Sequence, residues 1–341
     1  MATARTKSDL TVLGPRRSRA SSGLRSPLAY LFVFPALAIF TVFTIGPTIF
    51  TFVVSTFKWN WLNASQNKFI GLQNYQAMLE GSADPPFLQT LGVSAYFVLA
   101  MVVGGTAISL ALALLLQSAA GSWSRSWSNK VLLGARTAIF LAHVTPLVAT
   151  SIVWVWIFNP RYGLANLVLS WFSLPGIDWL GNSSYTMPAV IIYSLWHEIG
   201  FVTVIFLGGL TTLSPELSEA AKLDGCNRWQ EFWNITFPQL RPFIIFVVVI
   251  TSVASLQAFT QFFVMTKGGP DVATLGFQLY QQAFVFRKTG YAAALAVVLF
   301  ALTVLLSILQ LRSSRSVDSR SLRRSMHRSS HRGTPARSTT I

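Results

Sequence analysis

The stretch EAAKLDGCNRWQEFWNITFPQLRP, Glu219 to Pro242, decides how the chain is read. It lies between two long apolar segments, yet it carries Glu219, Lys222, Asp224, Arg228, Glu231 and Arg241. Hydrocarbon offers no partners for such groups, so the stretch is a loop in water. Its interior still predicts helix. Helix formers run from Glu219 to Leu223, Gly225 breaks the run, and Trp229, Phe232, Trp233 and Phe237 recur at helical spacing. Ser214 suits a helix cap and Pro215 a first turn. Pro238 and Pro242 punctuate the far end. The expected form is a short helix, a glycine bend with positive φ, and a second amphipathic helix leading back to the membrane.

Outward from that loop the chain is apolar. Of 341 residues, 52% are hydrophobic and 11% charged, with mean hydropathy +0.52, which excludes an ordinary soluble domain. A span needs about 20 apolar residues. Six runs qualify: 28–57, 90–117, 131–158, 185–213, 242–265 and 291–311, with the loop at 214–241. The fold class is an all-α polytopic membrane protein with six transmembrane helices. The first span is expected to bend at Pro35 or Pro47. Residues 1–27 and 312–341 are Arg/Ser-rich and read as disordered arms.

Charge orients the spans. The two tails, the 118–130 loop and the 214–241 loop hold 19 Lys and Arg, against 6 in the loops on the other side. The positive-inside rule therefore predicts that both termini and the 214–241 loop are cytosolic. The net charge of +15 belongs to topology and not to a nucleic-acid partner. A lone Cys226 excludes an internal disulfide and a cysteine metal site. No Gly-x-x-x-x-Gly-Lys-Ser/Thr phosphate loop and no paired carboxylates are present, so neither ATP binding nor catalysis is predicted for this chain.

Polar residues within spans mark a candidate path. Trp196, Glu198 and Phe201 follow one another in the fourth span, beside His197. An aromatic face next to a carboxylate suits a sugar ring, and an interhelical hydrogen bond would equally retain Glu198. The fifth span holds Thr251, Ser255, Gln257 and Gln261. Small hydroxyls are ordinary at tight helix contacts, whereas the two glutamines are not. Arg136 and His143 lie seven residues apart in the third span. On the outer side, Trp59, Trp61 and Phe69-Ile-Gly-Leu-Gln-Asn-Tyr75 fill the first loop, and Lys267-Gly-Gly-Pro270 the last.

The 219–242 stretch resembles the EAA loop of the membrane subunits of bacterial ABC importers. That pattern is Glu-Ala-Ala, three residues, Gly, nine residues, Ile, one residue, Leu, Pro. Glu219, Ala220, Ala221, Gly225, Ile235 and Pro238 fall in register, with Phe237 in the Leu position. Asp224 and Pro242 match the fuller form of carbohydrate permeases. The resemblance covers about residues 28–311. It implies a type I importer permease in the bacterial cytoplasmic membrane, with the loop as an ATPase-coupling helix. It also implies partners: a second permease, two ATPase subunits holding ATP and Mg, and an extracytoplasmic solute-binding protein. Transport of a sugar by alternating access follows, with the spans flanking the loop lining its path. Glycerol-3-phosphate or a glycerophosphodiester is the rival substrate. An ion-coupled secondary transporter is the alternative from another class, and it calls for an internal repeat that is not visible here.

Overall fold

The computed structural model describes residues 27–60, 63, 65, 67–122, 127–267 and 269–330. The arm expected over residues 1–26, the tail beyond Ser330, Trp61 and Gly268 lie outside the described residues. The chain divides into two units, residues 1–50 and 51–341.

In the first unit, α1 (Pro27–Phe40) carries Pro35 without a break. A π turn, Thr41–Ile45, follows, and α2 (Gly46–Val54) begins there and runs on into the second unit. The irregularity thus belongs to Pro47 and not to Pro35. One extra residue is taken up just ahead of the position that has no N–H to donate.

The second unit is helical except for a short ladder, in which β1 (Phe57–Lys58) pairs antiparallel with β2 (Lys68–Phe69). Its helices are α3 (Gln73–Leu79), α4 (Phe87–Ala100), α5 (Thr106–Ser122), α6 (Trp127–Val144), α7 (Leu147–Ile157), α8 (Leu164–Trp171), α9 (Ser183–Thr211), α10 (Pro215–Leu223), α11 (Arg228–Glu231), α12 (Phe237–Leu256), α13 (Thr260–Thr266), α14 (Leu275–Tyr280) and α15 (Thr289–Ser330). Five stretches of the described chain are long and apolar enough to cross a membrane singly: Tyr30–Val54, Phe87–Ser118, Ser183–Thr211, Arg228–Leu256 and Thr289–Arg312.

Three expectations need correction. The third span, expected as one run over 131–158, is a bent pair: Leu133–Val144 and Leu147–Ile157 meet at 100°. Pro146 is the cause, because its ring disfavours helix at Thr145 and it donates no hydrogen bond. The fifth span, expected over 242–265, starts earlier and ends sooner. One helical stretch runs from Arg228 to Leu256 through both Pro238 and Pro242. A π turn at Phe232–Thr236 absorbs the misfit ahead of Pro238, as it does ahead of Pro47. Finally, α15 does not end at Leu311. It continues as helix to Ser330, where a disordered tail was expected from 312. No Gly or Pro lies between Gly290 and Gly333 to stop it.

The middle of the second unit is α9. Half of its most apolar window is buried, against a third or less for the other spans. Tyr193, Val202 and Phe206 on it are fully buried. Around Tyr193 pack Phe97, Phe262 and Phe277, and around Phe206 pack Ala113, Leu240 and Val247. A separate cluster joins Met78, Phe87, Leu256, Leu275 and Leu295. With lipid as solvent the burial adds little hydrophobic drive, so close fit carries the packing. Gly200 shows how close: a Cβ there would lie 2.1 Å from the Ile139 carbonyl oxygen of α6.

Candidate functional site

The 219–242 stretch folds by local rules. Helix α10 starts at Pro215 with Ser214 in the cap position, but the Ser214 side chain makes no cap hydrogen bond. Glu216 occupies the first turn, so it and not Glu219 meets the helix dipole. The helix ends in a Schellman motif. Cys226 N–H donates to the Ala221 carbonyl at 2.9 Å and Gly225 N–H to the Lys222 carbonyl at 3.1 Å. Gly225 sits at φ +76°, the left-handed region expected of it. A capping box then starts α11 at once: Gln230 N–H donates to Asn227 Oδ1 at 2.8 Å, and Asn227 N–H to Gln230 Oε1 at 2.9 Å. Ser218 donates to the Glu231 carboxylate, which ties α10 to α11. The Ser218–Glu231 tie was not read from the sequence. The Asn227-x-x-Gln230 spacing was the legible signal for the box.

The loop is therefore stiff, and it shows apolar surface. Leu223 is 90% exposed, Trp229 69% and Leu217 48%. Glu219, Ala220 and Asp224 are also exposed. Ala221 is buried, so the two alanines face opposite ways: Ala220 outward, Ala221 into its own chain. Ile235 and Pro238 are half-buried at the foot of α12, beside a ring cluster of Trp229, Phe232, Trp233 and Phe237.

The fourth-span candidates part company. Residues 196 and 198 of a regular helix point about 200° apart, and α9 is regular there. Trp196 faces α7, with its ring 5.4 Å from that of Trp154. It lines a cavity of about 480 Å³ together with Ala142, Thr145 and Thr150. Glu198 is half-buried on the far side of α9 from Trp196. Phe201 stacks on His143 at 4.7 Å. So Trp196 and Glu198 do not form one aromatic–carboxylate site.

Much of this polarity repairs the α6–α7 break. Pro146 frees carbonyls that hydrocarbon cannot satisfy. Tyr193 O–H donates to the Leu147 carbonyl at 2.9 Å and lies 2.9 Å from the hydroxyls of both Thr150 and Ser151. The Thr145 carbonyl is 3.4 Å from His197 Nε2, and the His197 carbonyl 3.3 Å from His143 Nδ1. His143 is thereby joined to α9. Tyr193, Thr150 and Ser151 went unnoticed in the sequence, because their partners lie some 40 residues away.

In the fifth span, Thr251 and Ser255 are buried between helices. Gln257 caps the end of α12 and is exposed, while Gln261 is buried on α13. The two glutamines thus belong to two elements and differ in access.

Residues 117–319 match the family described as binding-protein-dependent transport system inner membrane component. The chain belongs to this family. The sulfoquinovosyl glycerol transport system permease protein SmoG of Agrobacterium fabrum is 30% identical, over 85% of this chain and 91% of its own. The inner membrane ABC transporter permease protein YcjO of Escherichia coli is 28% identical, over 80% of this chain and 89% of its own. Among solved structures, a chain of a bacterial alginate ABC transporter, in complex with alginate pentasaccharide-bound periplasmic protein, shares the fold. It matches with TM-score 0.73 at 20% identity, over 85% of this chain and 94% of that one. The matched proteins are transport subunits, and this permease is one, not an enzyme. The EAA-like loop lies within the matched residues.

Proposed function

We propose that this permease forms the translocation path for a sugar in an ATP-driven importer. An extracytoplasmic solute-binding protein delivers the sugar. A second permease completes the path, and two ATPase subunits, which hold ATP and Mg, drive it by alternating access. Both termini and the 219–242 loop face the cytosol, as the charge bias requires. The observation that carries this reading is the α10–α11 loop. It is rigid before any partner arrives, and it presents Leu217, Ala220 and Leu223 with Glu219 alongside. Apolar side chains so exposed on an aqueous loop call for a protein that covers them. A stiff element seated on an ATPase passes displacement on to α9 and α12, between which it is strung.

The path runs past Trp196, Phe201 and Gln257, with Glu198, Thr251, Ser255 and Gln261 behind them. A sugar is favoured over glycerol-3-phosphate or a glycerophosphodiester. Phosphate wants Arg or Lys beside it, and none of the residues named for the path is either. The SmoG and alginate relatives point the same way.

Glu219→Lys is expected to leave the permease in the membrane and release the ATPase. The test purifies the complex and measures ATPase stoichiometry and binding-protein-stimulated hydrolysis. Normal values for both would overturn the coupling role. Ligand binding by the cognate solute-binding protein identifies the sugar.

A further inference from the structure

A second concavity, of about 410 Å³, plays no part in the translocation reading. It lies wholly within residues 51–341 and shares no residue with the path. Its walls are β1 and the residues after it, α3, and the turn that leads into α15.

The walls are held in place. Asn74 donates to the Ser55 and Phe57 carbonyls at 2.8 and 3.0 Å. Gly290 N–H donates to the Trp59 carbonyl at 3.4 Å. There is no room at Gly290 for a side chain, since a Cβ would lie 2.0 Å from the Phe57 carbonyl oxygen. Arg287 keeps φ at +56°, a left-handed conformation that a residue with a side chain holds only under constraint from its surroundings.

The chemistry is one-sided. Lys58, Arg287 and Lys288 stand exposed at the rim, and among the described residues no carboxylate lines the cavity. Lys58 also sits directly opposite Lys68 in the ladder, a like-charge pairing that weakens a strand pair unless an anion offsets it. The floor is buried and polar. Gln282 is 1% exposed and its Oε1 has no partner, and the buried Tyr291 hydroxyl has none either. A buried acceptor and a buried hydroxyl without partners are costly, and both residues line the cavity, where the hydroxyls of a ligand would answer them. The volume is that of a small-molecule site.

We propose that this cavity binds a small hydroxylated carboxylate, a sugar acid in class. Lys58, Arg287 and Lys288 pair with the carboxylate. Gln282 Oε1 accepts from a hydroxyl of the ligand, the Tyr291 hydroxyl bonds another, and Trp59 lines the wall as a flat apolar face. The site does not depend on the sugar path or on ATPase docking.

The test uses the intact complex, purified in phosphatidylcholine nanodiscs, with radiolabelled D-glucuronate as probe and D-glucose as control. Saturable glucuronate binding is expected, at least tenfold tighter than that of glucose and weakened by added salt. Lys58→Gln combined with Lys288→Gln is expected to weaken it at least tenfold. Both side chains are exposed, so the fold is kept, and unchanged ATPase stoichiometry in the same preparation separates this test from the coupling test. No saturable glucuronate binding, or equal binding in the double variant, overturns the proposal. Displacement by phosphatidylglycerol in place of phosphatidylcholine would assign the cations to a lipid headgroup and overturn it too. So would a double variant that loses capture of the binding protein while still binding glucuronate, because the cavity would then receive an acidic side chain of that protein.

Discussion

The α10–α11 loop and the α6–α7 break do the same job by opposite means. Each ends a helix and starts another at an angle. In the loop, the bonds that close the turn come from partners close by in sequence. Gly225 takes the left-handed conformation, Cys226 and Gly225 return to Ala221 and Lys222, and Asn227 and Gln230 cap each other. At the break, Pro146 leaves the Thr145 carbonyl outside both helices, where His197 of α9 answers it, and Tyr193 of α9 ties down the first turn of α7. The loop is in water and could have used solvent. The break falls inside an apolar run and draws on protein groups instead. Local chemistry suffices where the turn needs only a conformation. Tertiary chemistry is required where it must also hide polar backbone.

The variant expected to do most harm lies beside the break. Gly200 holds α9 against α6, and any Cβ meets the Ile139 carbonyl oxygen at 2.1 Å, a backbone atom that cannot swing away. Gly200→Val is expected to prevent the helices from closing, with recovery of monodisperse permease reduced at least tenfold. Size-exclusion profiles of the solubilised protein report it. A normal profile at normal yield would show that the α6–α9 contact gives way easily, and the break would then be no more demanding than the loop.

Next in size is the loop itself. Gly225→Val forces a β-branched residue into the left-handed region, at a cost of about 1–2 kcal/mol. Because the bend is local, the loss falls on the loop and not on the spans. Such an energy is a factor of roughly 5–30. ATPase retention is expected to drop by that factor at an unchanged permease yield. Gly225→Asn, which tolerates positive φ, is expected to restore most of it. If the valine variant retains the ATPase as well as the asparagine one does, the conformation of Gly225 is not what seats the loop.

The same contrast explains what could be read in advance. The loop was legible because its signals are near neighbours in the chain: a helix-forming run, a glycine, and aromatics at helical spacing. The spans were legible from hydropathy. The bend at Pro146 was not, because a proline inside an apolar run marks a kink, a break or nothing at all. Pro35 and Pro242 show the last outcome, carried inside helices without a break. What decides between them is whether a neighbouring helix offers donors, and Tyr193 lies 47 residues from the break in sequence. Trp196 and Glu198 misled for a related reason. They are neighbours in the chain but sit on opposite sides of α9, and only the helical period, applied strictly, separates them.

The smallest effect is expected from Tyr193→Phe, and it probes how the break is held. The substitution keeps the buried ring, which packs beside Trp154 at 5.8 Å, and removes one donor to the Leu147 carbonyl. That carbonyl keeps a second donor, Ser151 Oγ at 2.7 Å. Hydrogen bonds between membrane helices average about 0.6 kcal/mol, so the single variant is expected to change unfolding equilibria by less than about threefold. Ser151→Ala alone leaves the tyrosine donor and is expected to be equally mild. The double variant removes both side-chain donors and leaves the Leu147 carbonyl only the backbone bond of the first turn of α7. If the break depends on α9, the double variant loses more than the product of the two single effects. Unfolding in mixed micelles measures all four proteins as a double-mutant cycle. Simple additivity would mean that the break holds itself by its own backbone, as the loop does.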